Sequence, residues 1–201
     1  MISLETASTE LLPFVKLGVT RGTERLAYIS GARWDIHIVS IDVGSSERFR
    51  SILARDKREY SGACFSTPGE RYLVMFSEEN GKTLVRSYAQ DRLGQRASSA
   101  AFERSSLTEI ANIIVGGLSG ELADRQGMGR ILSAPTMVVG RKSDIYAQAF
   151  GDLSSFGNEL MVDALIHISS PSLACECTLM LRLDSVTTNF LLRSDPDVLQ
   201  S

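Results

Sequence analysis

Glu109 and Asn112 stand three residues apart, Ser105 precedes Glu109 by four, and Pro135 follows Asn112 after a further 22 residues. A carboxamide offers both a donor and an acceptor and does not change charge near neutrality, so Asn112 can hold a water molecule in a set orientation. Glu109 is about one helical turn away on the same face and can pair with a cation. Asparagine is a poor residue inside a helix and gains nothing there by propensity, which makes a chemical role the better account of it.

The element that must position these groups is a helix over 105–123. At about 100° per residue, Leu107, Ile110, Ala111, Ile114, Val115, Leu118 and Leu122 fall within one broad arc, the core face. Asn112, Gly116, Ser119 and Ala123 lie within about 80° of Glu109 on the opposite side, with Ile113 about 40° to its other side. A solvent-facing helix normally carries Lys, Glu and Arg. A face of one carboxylate, one carboxamide and small residues lets another backbone come close, so Ser105, Ile113, Gly116 and Ser119 are candidate partner contacts. Ser106 through Glu109 also has the spacing of a capping box, in which Ser106 caps the helix and Glu109 reaches back to a free amide. Ser105 falls at the helix start, and Pro135 reads as structural, fixing the path into a strand that supports the helix.

The 201 residues are 43% apolar and 22% charged, enough for one large domain or two fused halves. A net charge of −3 without a basic cluster excludes a nucleic-acid or anionic-membrane surface. No segment reaches the roughly 18 apolar residues needed to span a bilayer, so a cytoplasmic protein is expected. Cys64, Cys175 and Cys177 form no CxxC pair and the chain has two histidines, so neither a disulfide framework nor a zinc site follows. Cys175 and Cys177 are expected on one side of a strand as small buried hydrophobes. His37 and His167 are expected as strand residues and Trp34 as core.

The chain reads twice through one pattern of helix, strand, hairpin and helical or irregular end, giving pseudo-repeats 1–97 and 98–201. In the first, 11–30 reads as the helix, 34–44 as a strand, and 59–66 with 70–77 as a hairpin about Thr67-Pro68-Gly69; a helix from about Glu78 to Leu93 closes it. In the second, the helix of roughly 106–125 stops at Gly127, a strand follows Pro135, Asp144 to Phe150 adds a short strand, and 158–169 pairs with 173–183. The boundary is placed at Gly94 to Ser99. The fold class is α/β (α+β): two pseudo-symmetric halves sharing a continuous, largely antiparallel sheet with long helices packed on it. An offset of 96 residues sets Pro13 opposite Glu109 and Lys16 opposite Asn112, so the polar pair occurs once and only the second half carries a site.

Ser105, three residues, Glu109, two residues, Asn112, 22 residues and Pro135 together match the signature of the CheC, CheX and FliY phosphatases, and LTEIANIIVGGLSGEL resembles that family's helix beyond the signature. The two-half layout is similar to CheC. The resemblance implies hydrolysis of the phospho-aspartate of a CheY-type chemotaxis response regulator. Asn112 would then place the attacking water, and Glu109 would pair with the lysine that such regulators keep beside the phosphorylated aspartate. The chain would bring no cofactor of its own, Mg²⁺ coming from the bound response regulator. A CheD-type deamidase is a second partner that the resemblance suggests. The alternative is a non-catalytic adaptor of the chemotaxis or flagellar switch system with the same fold, related to the FliM middle domain.

Overall fold

The computed structural model describes residues 4–43, 47–90, 99–151 and 161–193. Elements follow in the order α1 (Leu4–Ser30), β1 (Asp35–Val43), α2 (Glu47–Ala54), β2 (Glu59–Thr67), β3 (Glu70–Ser77), α3 (Glu78–Gln90), α4 (Ala100–Gln126), β4 (Thr136–Arg141), α5 (Lys142–Phe150), β5 (Val162–Ser170), β6 (Cys175–Leu183) and α6 (Ser185–Arg193). The series α-β-α-β-β-α thus runs twice. Both hairpins and both long helices stand where the residue pattern places them. The expected boundary lies, apart from Ser99, outside the described residues, as do residues 158–160 of the strand expected over 158–169.

Two short helices depart from the sequence reading. Asp144 to Phe150 is helical within α5, not a strand, because Ile145, Tyr146 and Phe150 turn together onto the sheet. A run of seven residues does not separate a period of 2 from one of 3.6. The eight-residue α2, which buries Phe49 and Leu53 one turn apart, was not foreseen at all.

All six strands form one antiparallel sheet in the order β1-β5-β6-β3-β2-β4. Exchanging β1 with β4, β2 with β5 and β3 with β6 reproduces that order read from the other end. Each half therefore lends its first strand to the other half's hairpin: β1 bonds to β5, and β4 to β2.

Both sheet faces are covered. Along β3, Tyr72, Val74 and Phe76 point to α1, α3, α4 and α6, while Leu73 and Met75 point to α2 and α5. Burial on both sides is why β3 and β6 read as nearly unbroken apolar runs. Cys175 and Cys177 are buried on the α1/α4 side, and Trp34 is buried with its indole N–H on Ser30 Oγ at 3.0 Å. His37 and His167 face each other across β1 and β5. On the α2/α5 side, Arg182 grips Asp163 with two bonds of 2.6 and 2.7 Å and also donates to Tyr146 Oη, which ties α5 to the sheet.

α1 and α4 cross antiparallel, Gly18 facing Leu118 and Gly22 facing Ile114. Arg21 of α1 pairs with buried Glu121 at 2.8 Å and with Asp124 at 2.7 Å, and Arg125 donates to Glu121 at 2.9 Å. No helix among the described residues is long and apolar enough to cross a membrane.

Candidate functional site

Helix α4 is defined at both ends by its caps. Ser99, with extended backbone, accepts the Phe102 amide on its hydroxyl at 3.2 Å, and Gly127 at φ 62° closes the last turn with bonds to the 123 and 124 carbonyls. The N-cap thus stands seven residues before the capping-box serine. Ser106 is an interior residue, 4% exposed, and Glu109 lies in the third turn, far from any free amide. The capping role for Glu109 is therefore ruled out, and Ser105 sits in the second turn instead of at the helix start. The error came from two serines, 99 and 106, each able to cap.

The core arc read from the sequence is buried throughout: Leu107, Ile110, Ala111, Ile114, Val115, Leu118 and Leu122. On the opposite face Ser105, Glu109 and Asn112 are exposed, and Ile113 and Gly116 are half-buried. None of the Ser105, Glu109 or Asn112 side chains has a hydrogen bond or ion pair among the described residues. Ser119 is a correction. It is 5% exposed and lies beside the Tyr72 phenol of β3, so it faces the sheet and offers nothing to a partner. Helical angle alone put it beside Asn112, but two turns further along, β3 closes over that edge of the helix.

The far end of α4 is fastened to the β2–β3 turn. Arg130 donates to Gln126 on the helix and to Thr67 and the Pro68 carbonyl on the turn, and pairs with buried Glu70. Ser133 exchanges two bonds with Ser66, of 2.8 and 2.9 Å, and Pro135 then leads directly into edge strand β4. At the near end, Ser105 shares a shallow groove with Met137 and Val139 of β4. Pro135 therefore belongs to the support of the helix and stands apart from the Glu109/Asn112 face.

α1 and α4 are both 27 residues long, and their ends superpose at the offset of 96. Pro13 and Lys16 are exposed on α1 at the positions matching Glu109 and Asn112, so no second carboxylate/carboxamide pair is present there. The sequence reading missed the far wall beside Asn112: Arg25, Tyr28 and Ile29 of α1 share a groove with Asn112, Ile113 and Gly116. Only the antiparallel crossing brings them together. Exposed Tyr28 was a signal for it, as an aromatic at helical spacing outside the core face of α1.

No family model matches the sequence, and no curated protein matches it. Solved structures do. FliY of Thermotoga maritima superposes with a TM-score of 0.70 over 96% of this chain and 98% of its own, at 8% identity. The chain has the fold of FliY. The FliY likeness extends to the FliM middle domain from H. pylori, with a TM-score of 0.61, 11% identity, and 96% and 99% of the two chains covered. A FliG–FliM complex from H. pylori matches with a TM-score of 0.59 at 13% identity, covering 96% of this chain and all of the other. At these identities what is shared with FliY and FliM is the fold.

Proposed function

We propose that this protein is a phosphatase acting on the phospho-aspartate of a CheY-type response regulator, with Glu109 and Asn112 as its working pair. The observation that carries the reading is their state on α4. Both are exposed and, among the described residues, unpartnered, one turn apart in the middle of a helix whose two ends and one flank are fixed to the rest of the fold. A capping role for Glu109 is excluded, and neither side chain serves packing.

An acyl phosphate is already reactive, so its hydrolysis needs chiefly a placed water and a fixed docking geometry. The Asn112 carboxamide accepts a hydrogen bond from the water and orients its lone pair toward phosphorus. A phosphorus–oxygen bond forms to the water, the bond between phosphorus and the aspartate carboxyl oxygen breaks, and its electron pair leaves with the carboxylate. The water's protons pass to the phosphate and solvent. Glu109 pairs with a lysine ammonium of the partner and fixes the depth of docking. Mg²⁺ belongs to the response regulator in this reading. The signature match supports the phosphatase reading.

A second reading is an adaptor of the flagellar switch, favoured by the fold shared with the FliM middle domain. The decay of a phosphorylated CheY-type regulator from the same organism decides between them. Catalytic amounts of the protein should accelerate decay, and Glu109→Ala and Asn112→Ala should abolish the acceleration while the proteins stay folded. A folded protein that binds the regulator without turnover is the adaptor.

A further inference from the structure

The half that lacks the polar pair still contributes to its surroundings. Across the groove from Asn112, Arg21 is committed to Glu121 and Asp124, and Glu24 lies close enough to act on the Arg21 charge. Arg25, the next basic residue along α1, has no hydrogen bond or ion pair among the described residues. Its guanidinium lies over the gap left by Gly116: a Cβ placed there would meet only Arg25 Nη1, at 3.8 Å. Gly116 is one turn from Asn112. Next to Arg25, Tyr28 is 91% exposed, an aromatic ring with its apolar faces in water beside Ile29 and Ile113.

We infer that α1 supplies the recognition half of the site: Arg25 pairs with the phosphoryl group of the docked response regulator, and Tyr28 packs on the protein surface around it. This rests on the phosphatase reading of Glu109 and Asn112. A planar guanidinium with unused donors suits phosphoryl oxygens, and an unpaired one needs no existing ion pair broken to bind them. Arg25 contacts the phosphoryl oxygens during the displacement without exchanging a proton. The two residues divide the labour: Arg25 reads the phosphoryl charge, and Tyr28 supplies contact area indifferent to it. The first half of the chain thus acts on the same site as the second.

The test compares binding of a CheY-type regulator, with and without beryllofluoride as the phosphoryl mimic, to the wild type, Arg25→Ala, Arg25→Lys and Tyr28→Ala, alongside decay of the phosphorylated form. Arg25→Ala should lower the preference for the loaded form about tenfold and raise KM more than it lowers kcat. Arg25→Lys should restore part of that preference, and Tyr28→Ala should weaken both forms alike. Thermal midpoints should stay together, because neither side chain is buried. An unchanged preference in Arg25→Ala, or equal weakening of both forms, overturns the inference. A wild type that prefers the loaded form through Arg25 yet produces no turnover upholds this inference and sinks the phosphatase reading. A wild type with neither preference nor turnover removes both.

Discussion

Gly117 of α4 lies against Gly22 of α1 so closely that a Cβ on Gly117 would stand 2.3 Å from the Gly22 nitrogen and 2.4 Å from the Gly18 carbonyl oxygen. The neighbouring Gly116 faces the other way, toward the Asn112 groove. Two adjacent glycines thus do opposite work, one joining the helices and one leaving a surface open. The joint matters to the site because it sets the distance between Arg25 and Asn112.

Gly117→Ala should destabilise the fold by about 2 to 3 kcal/mol, since the new methyl meets backbone that no rotamer change can clear. Gly116→Ala should be neutral or stabilising by up to about 1 kcal/mol, its methyl having only an ordinary contact to make. Urea unfolding of the two variants measures the contrast, and equal effects would refute the division.

In the regulator-decay assay, Asn112→Ala should reduce the rate by about 100-fold or more, a loss of roughly 3 kcal/mol of transition-state stabilisation. Glu109→Gln keeps the shape and removes the charge, so its loss should appear mainly as weakened binding. Saturation kinetics separate the two effects.

Asp163→Ala should cost about 3 to 5 kcal/mol, because it leaves the Arg182 guanidinium buried without its carboxylate. Replacing both partners together, as Asp163→Leu with Arg182→Met, should recover most of that loss. Denaturation midpoints of the single and double variants check it.

The Arg58 guanidinium holds the Asp56 carboxyl well below the usual carboxylate range, helped by bonds from Tyr60 Oη and the Arg58 amide and by the Lys142 charge. A carboxylate with a depressed folded value stabilises fully above its ordinary value of 3.8 and loses that contribution as pH falls through the lower one. Asp56→Asn should therefore cost about 1 to 2 kcal/mol at neutral pH, and the gap to the wild type should begin to narrow as pH falls below about 4 and close only below the depressed folded value. A difference independent of pH would show that the carboxylate charge is not what matters.

The sequence by itself determined the elements whose signal is repeated over many residues. The core arc of α4, the two hairpins, the strand after Pro135 and the duplicated element order all rest on periodicity sustained for two turns or more, or on turn residues at fixed places. It also determined that Glu109 and Asn112 share one face, since three residues on a helix allow no other arrangement. Two short helices escaped it: α2, of eight residues, and α5, of nine, carry too few periods to distinguish helix from strand.

Only the tertiary structure decided which residues near that face remain open. Ser119 is closed off by β3, and Gly117 by α1, although both lie within reach of the same helical angle as residues left exposed. Arg25 and Tyr28 come to Asn112 across more than 80 residues of chain because the helices cross antiparallel at their glycines. A helical wheel describes one helix about its own axis. What covers each side of it is set by where other elements pack, and that depends on contacts between residues distant in the chain.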